Sequence, residues 1–185
     1  MTTLTATPLM TADELEKMPK EKGRFELAKG ELIKMPPAGY VDGEIAANIL
    51  LLIGNYIKKH GLGKVFAAET GFFLSQDPDT VRAPDVAFVT PEHARQQERR
   101  QGFFVGPPDL AVEVVSPSES VEEVQAKLLD YLLAGTQMVW IVYPLTRTIT
   151  VYHSLDQSQV LTQNDTLEGG AVLPGFSIPV AEIFE

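Results

Sequence analysis

The sequence has 185 residues and contains no cysteine. This absence excludes disulfide bridges and zinc sites built on thiolates, and it fits an intracellular protein. Histidine is rare, and His60, His93 and His153 share no spacing typical of metal ligands or catalysis. Apolar runs are short, since none approaches the roughly 18 residues that a membrane helix needs, and residues 1–10 have no basic stretch typical of a secretion signal. We therefore expect a cytoplasmic protein that does not enter a membrane.

Positive charge is scarce as well, because 15 Lys and Arg residues face 25 Asp and Glu residues and give a formal net charge of −10. Such a charge opposes binding to phosphate backbones, so recognition of nucleic acid would need a local basic patch or metal ions. Arg95, Arg99 and Arg100, in the polar segment 91–101, are expected to form the one local basic cluster in this acidic chain. We interpret this segment as a solvated surface helix, with docking of a phosphate backbone as the alternative.

The composition favours a single globular domain that spans residues 1–185, with 44% hydrophobic and 22% charged residues. Thr11 and Glu14 have the spacing of a capping box, which predicts a short helix that ends before Pro19. Residues 24–35 alternate on either side of Gly30 and predict a β-hairpin. Apolar periodicity then predicts a long helix over 42–59, with Asp42 as its cap, and a second helix over 121–134.

Two β-branched runs at the centre of the sequence, 81–89 and 108–116, each carry an acidic residue. Asp85 begins the first strand, and Glu113 lies in the middle of the second. Because strand side chains alternate, Glu113 shares a face with Ala111 and not with Val112 or Val114. Burial of an unpaired carboxylate costs several kcal/mol, so Glu113 needs a metal ion, a cation or hydrogen bonds.

Four further charged side chains are candidates for the site, and three of them, Glu26, Glu44 and Lys127, also have a purely structural explanation. Glu69 is predicted in the middle of a strand over 65–74, and Glu26 lies on the hairpin face opposite Phe25, where a solvated carboxylate is an equal interpretation. Glu44 falls in the first turn of the long helix, where the helix dipole alone favours a carboxylate. Lys127 flanks the apolar stripe of its helix, and we expect it on this basis to extend its ammonium group into water.

The order helix, three strands, helix, strand, with Pro84-Asp85 before a mid-strand acid, resembles the restriction-endonuclease-like superfamily of PD-(D/E)XK nucleases. Over nearly its full length the chain is similar to the Uma family of predicted endonucleases. The resemblance lies in the order and spacing of several segments, which are 24–27 with 30–32, 68–72, 81–89, 108–118, Lys127, Tyr131, 134–135, 139–142 and 173–176.

The resemblance implies an α/β (α+β) fold with a restriction-endonuclease-like core, in which helices flank a central mixed β-sheet. It also implies that Asp85 and Glu113 hold Mg²⁺, for which Mn²⁺ could substitute. The superfamily's strand lysine is replaced here by Val115, and similarity to the Uma family suggests Lys127 in its role. Glu26, Glu44 and Glu69 would then hold a second metal ion or surround the first. The chain also departs from the family in having Asp42 in place of a frequent histidine and Tyr143 in place of an acid.

The function implied by this resemblance is metal-dependent hydrolysis of phosphodiester bonds in DNA, and a homodimer is a further expectation. One alternative is a catalytically silent nucleic-acid-binding or assembly module on the same fold. Another is an acid-base hydrolase in which Asp85 and Glu113 act as paired carboxylates without a metal. It lacks a recognisable sugar platform, because Trp140 lies in a strand of the buried type.

Overall fold

The computed structural model describes residues 9–97 and 102–185, which form two main β-sheets, a small strand pair and four α-helices. The helices are α1 (Ala12–Glu16), α2 (Tyr40–His60), α3 (Pro91–Gln96) and α4 (Val121–Ala134). The strands are β1 (Arg24–Ala28), β2 (Glu31–Met35), β3 (Lys64–Ala67), β4 (Phe72–Ser75), β5 (Thr80–Arg82), β6 (Val86–Val89), β7 (Phe104–Val105), β8 (Leu110–Val114), β9 (Met138–Tyr143), β10 (Thr148–Tyr152), β11 (Ser158–Leu161), β12 (Thr166–Glu168) and β13 (Ser177–Pro179). Short 3₁₀ turns cover Lys20–Lys22 and Val180–Ile183.

The larger sheet has the strand order β11-β10-β9-β8-β6-β3 and is mixed, because β8 and β9 run parallel while their neighbours are antiparallel. Helix α2 covers one face, where Ile49 and Ile53 join the same apolar cluster as Val112. Helix α4 covers the other face, where Leu128 and Ala111 share a second cluster. The alternation predicted for residues 109–115 is therefore confirmed, and Glu113 lies on the α4 side.

The smaller sheet has the order β2-β1-β5-β4-β7 and contains the predicted hairpin. Strands β1 and β2 pair from Arg24 opposite Met35 to Ala28 opposite Glu31. Gly30 has φ +81°, and a Cβ atom there would lie 2.7 Å from Cβ of Leu9, so both the turn and the close approach favour glycine. The capping box at the start of α1 is also present, with Thr11 and Glu14 as predicted.

Three predicted elements differ from the structure. Helix α2 begins at Tyr40 after an N-cap at Gly39, so Asp42 is a buried residue of the first turn and not the cap. The single strand predicted over 65–74 is two strands, β3 and β4, because the chain turns at Glu69, whose φ is +73°. The run 81–89 is likewise divided into β5 and β6, which belong to different sheets.

The arginine-rich segment forms a helix over only part of its predicted length. Helix α3 covers Pro91–Gln96 and includes Arg95, whereas Arg99 and Arg100 lie outside the described residues. Within the described ranges, no helix combines the length and apolar character required to cross a membrane.

Candidate active site

Asp85 lies where the chain crosses from the smaller sheet to the larger one. Strand β5 ends at Arg82, Ala83-Pro84-Asp85 form the crossing, and β6 begins at Val86. Pro84 fixes its own φ and restricts the residue before it, so the crossing has little backbone freedom. Oδ2 of Asp85 accepts a hydrogen bond of 2.8 Å from the backbone N–H of Val114, which orients the carboxylate toward β8.

Glu113 is brought beside Asp85 by the pairing of β6 with β8. Val86 lies opposite Val112, and continuing this antiparallel register by one residue sets Asp85 beside Glu113. Both acids line a cleft of about 720 Å³, together with Lys127. The register and the shared cleft therefore bring Asp85 close to Glu113, although Asp85 lies just before β6 and not on the strand as predicted.

Lys127 lies inside this cleft and not in solvent. Its Nζ atom is 3.0 Å from Oε2 of Glu113 and 2.7 Å from Oε1 of Glu119, and the residue is 7% exposed. One helical turn further along α4, the Tyr131 hydroxyl donates a 2.6 Å hydrogen bond to Oε1 of Glu113. The interpretation in which Lys127 extends into water is therefore wrong, because two carboxylates hold its ammonium group inside.

Glu26 is 2% exposed, so the solvated-hairpin interpretation is wrong as well. Its two oxygens accept hydrogen bonds from Nη1 of Arg82 at 2.7 Å and from the backbone N–H of Ala83 at 2.9 Å. Arg82 in turn donates to Oδ2 of Asp130 from Nε at 2.9 Å and from Nη2 at 2.7 Å. Glu26 thus holds the crossing segment that carries Asp85.

The two other acidic candidates occupy more peripheral positions. Glu69 lines the cleft, but from the turn between β3 and β4 and not from the middle of a strand. Its side chain is 66% exposed and pairs with Nη1 of Arg24 at 3.2 Å. Glu44 is exposed and lines a separate pocket of about 230 Å³ with Asn48 and Arg147, so the structure does not bring it to the cleft.

Arg82, Asp130 and Glu119 contact the candidate residues but were not singled out by sequence reasoning. An arginine within the apolar run 81–89 is the signal that could have identified Arg82, since a buried arginine requires acidic partners. Glu119 precedes the Ser120 cap of α4, so the helical periodicity of the sequence does not include it.

Burial and acidic neighbours control the protonation of the cleft. Burial raises the pKa of Glu113 to about 7, and the charges of Asp85 and Glu26 raise it as well. The charge of Lys127 and the hydrogen bond from Tyr131 lower this pKa but do not outweigh burial. Burial also raises the pKa of Asp85. For Lys127, burial alone would lower the pKa, but the charges of Glu113, Glu26 and Glu119 raise it, so the ammonium group stays protonated. The positive charge of Lys127 therefore does not cancel the rise in the pKa values of Glu113 and Asp85.

The donor set suits a small divalent cation. Carboxylate oxygens from Asp85 and Glu113, with a backbone carbonyl and water, are the hard ligands that Mg²⁺ prefers. Within 9–97 and 102–185, no group of three or more His, Asp or Glu side chains is arranged as a metal cluster. The two acids would therefore have to share the ion with water and backbone oxygens, which is common for Mg²⁺.

Folding stability without metal is expected to depend on the protonation of Glu113. Its pKa is raised from 4.5 to about 7 in the folded state, so the folded protein binds this proton more tightly than the unfolded chain. The resulting stabilisation is complete below the unfolded pKa and is lost as the pH rises toward about 7. We expect urea unfolding in EDTA to show falling stability across this window and a weaker fall in Glu113→Gln. An identical pH profile for the variant would contradict the assignment to Glu113.

The mixed sheet between α2 and α4 is the architecture of the restriction-endonuclease-like fold. The model of the Uma2 family, described as "Putative restriction endonuclease", matches residues 12–181. The chain belongs to this family, which confirms the resemblance seen in the sequence.

A solved structure supports the same fold. It is described as the crystal structure of a putative nuclease belonging to DUF820 from Anabaena variabilis ATCC 29413. The two chains superpose with a TM-score of 0.81 over 95% of this chain and 97% of the other, at 21% sequence identity. Among curated protein sequences, a comparison finds no match. The predicted α/β (α+β) restriction-endonuclease-like fold is therefore confirmed.

Proposed function

We propose that this chain is a metal-dependent nuclease that hydrolyses phosphodiester bonds in DNA, with Asp85 and Glu113 holding Mg²⁺ and Lys127 assisting. The observation that carries the proposal is the 3.0 Å contact between Nζ of Lys127 and Oε2 of Glu113, inside the cleft that Asp85 also lines. This contact supports the role of Lys127. Val115 stands at the position of the superfamily's strand lysine and has no charge, whereas Lys127 reaches Glu113 from α4.

Each side chain would have a distinct role in the reaction. Bound Mg²⁺ would polarise the phosphate and lower the pKa of a water molecule. The protonated ammonium group of Lys127 would orient that water or stabilise the negative charge that develops on the phosphate. Tyr131 would fix the orientation of Glu113, and Glu26 would hold the segment before Asp85. Nucleases that cut duplex DNA commonly work as symmetric pairs, so a homodimer is part of the proposal.

A catalytically silent binding module remains the second candidate, and one observation favours it. Both carboxylate oxygens of Glu113 already accept hydrogen bonds, one from Lys127 and one from Tyr131. A metal ion would have to share these oxygens with the donors or displace one of them. Metal binding is therefore the property that separates the two candidates.

Calorimetric titration with Mg²⁺ or Mn²⁺ tests the proposal directly. We expect saturable binding by the wild type and its loss in Asp85→Ala, because that change removes one of the two anionic ligands. Asp156→Ala is the matched control, since Asp156 is an exposed acid in a surface loop that does not line the cleft. No binding by the wild type, or equal binding by Asp85→Ala, would contradict the metal site and favour the silent module.

A further inference from the structure

Basic residues are concentrated in a segment that composition alone does not reveal. Residues 17–34 contain six of the 15 Lys and Arg residues but only three acids, which gives this segment a net formal charge of +3 in a chain of −10. The expectation that the arginines of 91–101 form the one basic cluster of the chain is therefore wrong. The segment 17–34 covers the end of α1, the 3₁₀ turn and most of the hairpin β1–β2.

The acids of this segment offset less of its exposed positive charge than their number implies. Glu26 is one of its three acids, and it is buried and neutralised by Arg82 at 2.7 Å. Lys22 and Lys34 are exposed, and Arg24 is partly exposed. We define the basic lip as these three residues, Lys22, Arg24 and Lys34.

The basic lip lies at the edge of the cleft that holds the candidate active site. Gly23 and Arg24 line this cleft together with Asp85 and Glu113. A Cβ atom on Gly23 would lie 3.6 Å from Cε of Lys34, so the Lys34 side chain extends beside Gly23. Lys22 is exposed and immediately precedes Gly23 in the chain, so its backbone is next to the same edge.

We propose that the basic lip binds the phosphate backbone of DNA beside the phosphodiester bond that enters the cleft. The inference rests on the proposed nuclease function and adds the surface on which the substrate docks. At physiological salt, charges are screened beyond about 8 Å, so a polyanion responds to the nearest surface and not to the net charge of the chain. Lysine and arginine side chains that neutralise phosphates supply the sequence-independent part of DNA affinity.

The hairpin geometry suits this task. Arg24 faces the cleft and contacts Glu69 at its edge, where phosphate oxygens could replace an exposed ion pair of small energetic value. Lys34 lies opposite Phe25 in the hairpin register, so it starts from the face opposite to Arg24, but its long side chain extends to Gly23 at the edge of the cleft. Successive phosphates of a strand could therefore contact Lys34, Lys22 and Arg24 while one phosphodiester approaches Asp85 and Glu113.

The test is equilibrium binding of a fluorescein-labelled DNA duplex, followed by anisotropy in Ca²⁺ over a range of salt concentrations. We expect Lys22→Glu/Lys34→Glu to raise Kd at least about tenfold. The slope of log K against log salt should also decrease by roughly 2, since each phosphate contact contributes about 0.9. Lys59→Glu/Lys64→Glu is the matched control, because it makes the same charge change at exposed residues of α2 and β3, outside the hairpin and the segment 17–34.

Unchanged Kd and slope in Lys22→Glu/Lys34→Glu would overturn the basic lip, and so would equal losses in both double variants, which would indicate an effect of net charge alone. Failure of the wild type to bind the duplex would also overturn it. The nuclease proposal is tested separately by metal titration and by cleavage. If the protein cleaves DNA but Lys22→Glu/Lys34→Glu binds DNA like the wild type, only the proposal of the basic lip is refuted.

Discussion

Replacement of Arg82 by methionine is expected to lower the free energy of unfolding by about 3–5 kcal/mol, as for other buried ion pairs that lose one partner. Arg82 lies between Glu26 and Asp130, with contacts of 2.7 Å to each. Burial alone would lower the pKa of Arg82, but the charges of Glu26 and Asp130 raise it, so the guanidinium group is held firmly in its charged form. Without it, the buried carboxylate of Glu26 and the largely buried carboxylate of Asp130 remain with no cation between them.

Urea unfolding of the purified variants measures this effect. Arg147→Met is the matched control, because Arg147 is exposed and its hydrogen bond to Gln163 is 3.3 Å long, and such surface changes are usually within about 0.5 kcal/mol. Arg82→Lys should fall between Arg82→Met and the wild type, since it keeps the charge but not the three separate nitrogens that donate to Glu26 and Asp130. A loss below about 1 kcal/mol in Arg82→Met, comparable to a surface substitution, would contradict the role of Arg82.

Lys127→Met is expected to reduce metal-dependent cleavage of plasmid DNA by at least tenfold, which corresponds to about 1.4 kcal/mol of transition-state stabilisation. Methionine retains most of the packing of the lysine stem and removes the ammonium group beside Glu113. The variant should still fold and bind Mn²⁺, because Asp85 and Glu113 are unchanged and a metal ion can take over the compensation of Glu113.

Cleavage is measured at saturating Mn²⁺, with circular dichroism as the check on folding. Lys58→Met is the control, since Lys58 is exposed at the end of α2. Cleavage by Lys127→Met at the wild-type rate would remove Lys127 from the mechanism. Loss of both folding and metal binding would instead show that the lysine serves only as a structural partner of Glu113 and Glu119.

The sequence predicts the layers of this fold well because their patterns are local. The period of two in 109–115 separates the face toward α2 from the face toward α4, since both faces are buried by different helices. The boundaries of β3 to β6 could not be predicted in the same way. Pro84 is a sequence signal for the crossing, but the apolar β-branched run continues on both sides of it, and Glu69 turns the chain with a positive φ that glutamate rarely adopts.

The candidate site was predictable only where a single element or the family resemblance indicates it. Asp85 and Glu113 stand out because each lies in a strand-like run, and Lys127 was indicated by the resemblance. The burial of Glu26 was not predictable, because its partner Arg82 is 56 residues away in the chain. Periodicity places Tyr131 on the inner face of α4, but only the tertiary structure reveals that its hydroxyl donates to Glu113.

The three-residue crossing Ala83-Pro84-Asp85 makes the site a mechanical link between the two sheets. Glu26 of the hairpin holds the start of the crossing through the Ala83 N–H, and the Val114 N–H of the larger sheet holds its end through Asp85. Movement of one sheet away from the other would therefore pull on Asp85 and shift it from Glu113. A ligand that binds both acids would in turn resist opening of the cleft, so occupancy of the site and closure of the two sheets would be thermodynamically coupled.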